Sequence, residues 1–259
     1  MSEEVNGFLD VGYRNNLMEL SFNINGFPYG LGNKIEELLN LEAYCIRTGK
    51  KCNYYWNNED DKRSYPILVG FKNINIQSEH RFEDAIVLPG YLWLGPVFAS
   101  RQEMLQAIKN MSIKFTFNKP IDSYVGVHIR RTDRIQDVVT YCDYMDKDCA
   151  DLLFMRTVGL LNREKPKNLF VCSDDDKYKN IFIKLLDSNI NIIRTNTMDC
   201  PQVYQDWYTL ANSDKIIMCS KMSSFAAIAS LVNDVPLVSF FDEKETTLIR
   251  CGVRLEYLY

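Results

Sequence analysis

The feature that most constrains the fold is an alternation of short apolar runs with helical patterns through the second half of the chain. Tyr124–Ile129 is one such run, and others follow at Leu169–Cys172, Ile190–Ile193, Lys215–Cys219 and Leu237–Phe240. Short apolar runs bounded by polar residues are the pattern of buried strands. Helical periodicity fills the gaps: residues 144–162, then Asp176 to Leu186 with Tyr178, Ile181, Phe182 and Leu185 on one stripe, Gln202 to Asn212, and Ser223 to Asn233. Strand–helix–strand alternation predicts βαβ units and a parallel sheet. Ser223 is a candidate N-cap, and Asp174 and Asp175 suit the N-terminal end of the helix that follows them.

The first half reads less regularly. Leu17–Ile24 is a candidate strand, after which Gly26, Pro28, Gly30 and Gly32 break regular structure. A helix follows from about Lys34 to Thr48, with Ile35, Leu38, Leu39 and Cys45 or Ile46 on one face, and Gly49 ends it. A glycine-rich loop between a strand and a helix either brings backbone N–H groups toward an anion or a sugar, or is simply a tight turn. It is not G-x-G-x-x-G, so it does not predict a dinucleotide site. Lys51–Trp56 reads as a strand, Tyr65–Leu88 as short strand-like pieces with His80 on the surface, and Arg101–Asn110 as a helix. The chain changes character at Phe117–Asp122, which places an expected domain boundary between residues 1–118 and 119–259.

Composition narrows the functional classes. With 259 residues the chain makes one large domain or two small ones, and 46% hydrophobic residues supply an ample core. A net charge of −4 gives no electrostatic support for nucleic-acid binding. No apolar run reaches the length of a membrane span, and the opening MSEEVNGFLD is too acidic and polar for a signal peptide, so a cytoplasmic protein is expected. The eight cysteines form no C-x-x-C pair and only two histidines are present, which argues against structural zinc. Cys172 and Cys219 lie in apolar strands and read as core residues, with reduced thiols expected throughout.

Chemistry concentrates where the run at 124–129 ends. It delivers His128, then Arg130 and Arg131, followed by Thr132, Asp133 and Arg134. Parallel strands in open α/β sheets hold ligands at their carboxyl ends. Two guanidiniums there fit a diphosphate, whose oxygens match the arginine fork. The alternative is a solvated cluster paired with Asp133 and Asp137. Asp174-Asp175-Asp176 also has two readings: a D-x-D device holding Mg²⁺ or Mn²⁺ for a nucleotide-sugar, or a helix N-cap run. Tyr54-Tyr55-Trp56, Tyr91 and Trp93 either stack on acceptor sugars or fill the core.

HIRRTDR at 128–134 resembles the H-x-R-R-x-D loop of the α1,6-fucosyltransferases and the H-I-R-R-G-D of the bacterial α1,2 type, both GDP-fucose-dependent. NLFVCSDD at 168–175 is similar to the family's strand ending in (S/T)-D-D. DWYTLANSDKIIMCSKMSSF at 206–225 is similar to its third motif: Asp206 and Asp214 keep the eight-residue spacing, and Ser223-Ser224 form the turn one residue further along. YGLGNKIEELLNLEAYCIRTGKKC resembles the G-L-G-N-Q opening of the α1,2 type; GYLWLGPVF at 90–98 lacks the Gln and Ser of its G-Y-x-Q-S segment.

The resemblance implies a GT-B-like α/β fold of two Rossmann-like lobes, with the donor site in the C-terminal lobe. It implies inverting, metal-independent transfer of fucose from GDP-fucose to a hydroxyl of a glycan or glycoconjugate. Arg130 would hold the β-phosphate, and Arg131 would stabilise the leaving group or pack near fucose. His128, Asp206, Ser223 and Ser224 would hold the guanosine part, and Gly30, Gly32, Asn33, Asp133, Ser173 and Asp174 would complete the donor site. The α1,6 family's general base is a Glu ten residues past the motif His, where this chain has Val138; the adjacent Asp137 is the expected base. That departure also leaves open a shell of the same fold that binds nucleotide or glycan without turnover.

Overall fold

The structure is a computed structural model that describes residues 22–26, 29–59, 64–83, 85–87, 99–133, 135, 145–195, 199–241 and 255–257. The chain divides into two compact units, Met1–Phe115 and Thr116–Tyr259.

In the first unit, β1 (Phe22–Asn25), β2 (Cys52–Tyr55), β4 (Ile74–Gln77) and β5 (Ile86–Val87) form a parallel sheet of order β4-β2-β1-β5. Helix α1 (Leu31–Thr48) crosses from β1 to β2, and Gly49 closes it in the left-handed conformation at φ 70°. Helix α2 (Arg101–Lys109) starts with a capping box between Ser100 and Glu103 and packs on α1. β3 (Val69–Phe71), within the stretch read as short strand-like pieces, pairs antiparallel with β6 (Met111–Ile113), which the sequence pattern did not show.

Helix α1 departs from the expected one-sided stripe. Ile35, Leu38, Leu39 and Cys45 are buried and Ile46 is exposed, but Lys34, Glu36, Glu37, Asn40 and Glu42 are buried too. Buried polar groups need partners, and α1 finds many of them. The Lys34 ammonium donates to the Asn57 carbonyl and lies 4.9 Å from the Trp56 ring. The Tyr54 hydroxyl donates to Glu37, and Glu42 accepts from Asn73 and Asn110 at 2.7–3.1 Å. Tyr54 and Trp56 are thereby core residues rather than sugar platforms; Tyr91 and Trp93 lie outside the described residues. Burial pushes the Glu37 carboxyl up to about 7, against the Tyr54 hydrogen bond and the Lys34 charge.

In the second unit, six parallel strands run in the order β12-β11-β10-β7-β8-β9: β7 (Val125–Ile129), β8 (Asn168–Ser173), β9 (Asn191–Ile193), β10 (Lys215–Cys219), β11 (Leu237–Ser239) and β12 (Leu255–Tyr257). Helices α3 (Lys147–Glu164), α4 (Asp176–Lys184), α5 (Gln202–Ala211) and α6 (Ser224–Val232) connect them. Numbered from β7, the order is 3-2-1-4-5-6 read from the β9 edge, the doubly wound nucleotide-binding arrangement. The alternation of the sequence predicts every element but β12.

β7 is buried on both faces, and its residues alternate between them. Val125, Val127 and Ile129 join the cluster that contains Leu153, Phe154 and Phe182 of α3 and α4. Gly126 and His128 face the other helix pair. A Cβ on Gly126 would stand 2.9 Å from Leu210 Cδ2 and 3.0 Å from Ser213 Oγ, so the glycine lets α5 lie close on β7. The His128 ring stacks on Phe225 of α6, with centroids 5.2 Å apart.

Candidate active site

In a 3-2-1-4-5-6 sheet the chain leaves the first strand in one direction and returns to its other side, so the loops after strands one and four diverge and open a crevice. Here those strands are β7 and β10, paired in register with His128 opposite Met218 and Ile129 opposite Cys219. The switch point therefore lies between Arg130, just after β7, and Ser220, just after β10.

Strand alternation carried past Ile129 sends the two arginines to opposite faces, and this corrects the expectation that they act as a pair. Arg131 follows Ile129 toward α3 and α4. Its guanidinium lies 4.1 Å from the Tyr178 ring centroid and 5.7 Å from that of Phe154, and it donates to the Ala150 carbonyl and to Asp151. It is 4% exposed, a core residue. Arg130 follows His128 and donates through Nε and Nη2 to both carboxylate oxygens of Asp133, at 2.9 and 2.7 Å.

His128 is buried, and burial followed by the Arg130 charge pushes its imidazole down to about 4, against the pull of Asp174 and Asp133. The ring is neutral at physiological pH. Its Nδ1 is a buried polar atom with no hydrogen-bond partner among the described residues. Ser220 Oγ is in the same condition, and alternation from Met218 places Ser220 on the His128 face. The sequence reading missed Ser220; its signal was position, one residue past the strand that flanks the switch point.

The remaining expected residues fall into distinct roles. Ser223 is the N-cap of α6, its hydroxyl accepting from Ala226, and Ser224 is buried in the first turn. That turn carries no acidic residue, so no carboxylate of its own offsets the positive end of the α6 dipole. Ser173 accepts from the Asp175 N–H at 3.1 Å, and Asp175 caps α4 through Lys177 and Tyr178. Asp174 accepts from the Arg131 and Thr132 backbones and from the Thr132 hydroxyl. Asp175 of the D-D-D run is thus a helix cap, Asp174 binds the loop after β7, and both carboxylates are engaged by N–H donors.

Asp206, on α5, accepts from Gln202 at 2.7 Å, and its carboxyl is pushed up chiefly by burial, with Lys179 and Asp176 of α4 as charged neighbours. Its charge also acts on Cys172, the β8 residue paired in register with His128. Gly30, Gly32 and Asn33 belong to the first unit, where Gly30 precedes α1 without a side-chain cap and Gly32 and Asn33 form its first turn. Asp137 and Val138 lie outside the described residues.

No protein family and no curated protein matches the chain by sequence. Solved structures do match by fold. The crystal structure of the NodZ alpha-1,6-fucosyltransferase soaked with GDP-fucose is similar with a TM-score of 0.53 at 14% identity, covering 88% of this chain and 95% of that one. The same enzyme co-crystallised with GDP gives 0.54 at 13% identity, covering 85% and 93%. The expected GT-B-like α/β fold class is shown. Among the described residues, no helix is long and apolar enough to cross a membrane.

Proposed function

We propose that the protein is a glycosyltransferase that moves fucose from GDP-fucose to a hydroxyl of a glycan acceptor, with inversion and without a metal. One observation carries this reading. The switch point of a Rossmann-order sheet holds a neutral buried histidine and, next to it, the arginine of the pair that stays out of the core. The strand across the crevice leads into the N-terminus of α6. The fold shared with a fucosyltransferase that binds GDP-fucose agrees with it.

The chemistry follows from charge. As the glycosidic bond breaks, negative charge grows on the departing diphosphate, and preorganised donors stabilise it. Arg130 takes that role, with the α6 dipole adding to it. Asp133 holds the Arg130 fork in the free protein, and a diphosphate, with more charge and more oxygens, competes for the same donors. Neutral His128 and Ser220 offer a ring nitrogen and a hydroxyl to the nucleoside. Absorption of the charge by side chains rather than a metal is supported by Asp174 and Asp175, whose carboxylates accept from backbone N–H groups. Asp137 takes the proton from the acceptor hydroxyl in a single displacement, which inverts the anomeric centre.

A thermal-shift panel of GDP, GDP-fucose, GDP-mannose and UDP-sugars, each with Mn²⁺ and with EDTA, tests the reading. Guanine nucleotides at a hundredfold excess over Kd should stabilise the protein by about 2.7 kcal/mol, equally in EDTA. Stabilisation by UDP-sugars alone, and only with Mn²⁺, would overturn it. Tight GDP-fucose binding with no turnover on any acceptor identifies the non-catalytic shell instead.

A further inference from the structure

Two consecutive backbone amides after β7 converge on one carboxylate. Asp174 accepts from the Arg131 N–H at 2.9 and 3.3 Å and from the Thr132 N–H at 3.0 Å, and the Thr132 hydroxyl donates to it at 2.6 Å. In return, the Asp174 N–H donates to the Ile129 carbonyl at 3.4 Å. Successive N–H groups of this kind form a concave anion site, a nest of the sort that cradles phosphates. In this chain the nest at 131–132 is filled from within.

We infer that Asp174 is a positioning residue: its carboxylate fills the Arg131–Thr132 nest and fixes the loop that presents Arg130 to the crevice. Arg130 sits between two immobilised segments. Behind it, His128 and Ile129 are locked in the sheet between β8 and β10. Ahead of it, the backbone of 131 and 132 is held by Asp174, while the Arg131 side chain is anchored on the far face by Tyr178, Asp151 and Ala150. The freedom left to Arg130 lies in its side-chain torsions, which the two hydrogen bonds to Asp133 set.

Two consequences separate this role from its rivals. A carboxylate receiving three donors is committed, so Asp174 serves neither as a metal ligand nor as a direct contact to the nucleotide. Because the loop amides are occupied, an incoming diphosphate meets Arg130 rather than the nest. Displacing a charge-bearing group by about 1 Å costs on the order of a hundredfold in rate, which gives the splint a catalytic consequence without any contact to the substrate.

The test uses the full chain with Asp174→Ala, Asp174→Asn, Thr132→Val and Thr132→Ser, and reads two things. The first is amide hydrogen exchange at residues 131 and 132, which needs no ligand. Both amides should be protected in the wild type, lose protection in Asp174→Ala and lose part of it in Thr132→Val. The second rests on the donor reading above: affinity for GDP against affinity for guanosine, which carries no phosphate. GDP affinity should fall about tenfold in Asp174→Ala, the loss expected for hydrogen bonds to a charged group, and guanosine affinity should hold. Thr132→Ser, which keeps the hydroxyl, should recover most of what Thr132→Val loses, and Asp174→Asn should fall between wild type and Asp174→Ala. Protected amides in Asp174→Ala, or equal losses for GDP and guanosine, would overturn the inference, as would a Mn²⁺-dependent activity that Asp174→Asn abolishes. Should the wild type bind no guanine nucleotide, the donor reading falls while the exchange data still decide the splint; if Asp174→Ala does not fold, Thr132→Val decides it.

Discussion

The two faces of β7 hold the same kinds of side chain to different ends. On the α3–α4 face, Val125, Val127 and Ile129 lead to Arg131, whose guanidinium is wedged against Tyr178 and Phe154 and paired with Asp151. On the α5–α6 face, Gly126 and His128 lead to Arg130, held by a carboxylate three residues on. One guanidinium has become scaffold, while its neighbour pairs with Asp133 at the carboxyl end of the sheet. The lesson is that strand alternation, and not residue type, sorted the pair. A charge at a strand end belongs to a site only if its face leads to the crevice.

Three measurements can break or sharpen that contrast. The largest expected effect is on Arg130→Ala, which under the proposed function should lose fucosyl transfer by about 10² to 10³-fold, as for removal of one transition-state donor, while its melting temperature stays near that of the wild type. A folded variant with full activity would erase the functional half of the contrast. Arg131→Ala should do the reverse first: a loss of about 3 kcal/mol in denaturant unfolding, the scale for breaking a buried ion pair, with a smaller loss of activity per folded molecule than Arg130→Ala. Asp151 is half exposed and keeps its water, which holds the figure to the low end of that scale.

The third measurement reads the His128 face by pH. The folded imidazole titrates near 4 and the unfolded one near 6.5, so the unfolded chain takes up the proton first as pH falls. Stability present above pH 6.5 is then lost toward pH 4, by up to about 3 kcal/mol. Glu37 works in the opposite sense: folded it titrates near 7 against 4.5 unfolded, so its burial favours the folded state as pH falls from 7 to 4.5. The two trends overlap, and the wild-type curve hides both. Comparison with His128→Phe, which keeps an aromatic ring against Phe225, isolates the histidine. A wild type and variant with parallel stability curves from pH 7 to pH 4 would show that His128 is not held neutral by its surroundings.

Much of this was legible in the residues. The alternation from Tyr124 to Phe240 specified a parallel α/β unit because its central strands, β7, β8, β10 and β11, are buried along nearly their whole length and helical patterns separate them. The opposite fates of Arg130 and Arg131 were also legible, since period two alone separates adjacent side chains, but the fit of two guanidiniums to a diphosphate treats the dipeptide as a unit. The role of Asp174 was not readable. A carboxylate that grips backbone amides more than 40 positions away leaves no local pattern, and D-D-D suits capping and metal binding equally. Ser220 gave no local signal for the same reason: its importance is its place beside β7 in the sheet order. In the first unit, the buried charges of α1 defeated the stripe reading, because their partners Tyr54, Asn57, Asn73 and Asn110 come from separate segments.

The pairing of Val125 with Lys215 joins segments 90 positions apart along the chain (215 − 125). During synthesis β7 and β8 emerge first and can pair at once, while the far wall of the crevice waits until α5 has been made. An incomplete polypeptide ending before Lys215 would present β7 with one edge bare, open to strand addition by another chain. The proposed nucleotide recognition would then be among the last properties a newborn molecule acquires, and the stretch before β10 docks would be its period of greatest exposure to aggregation.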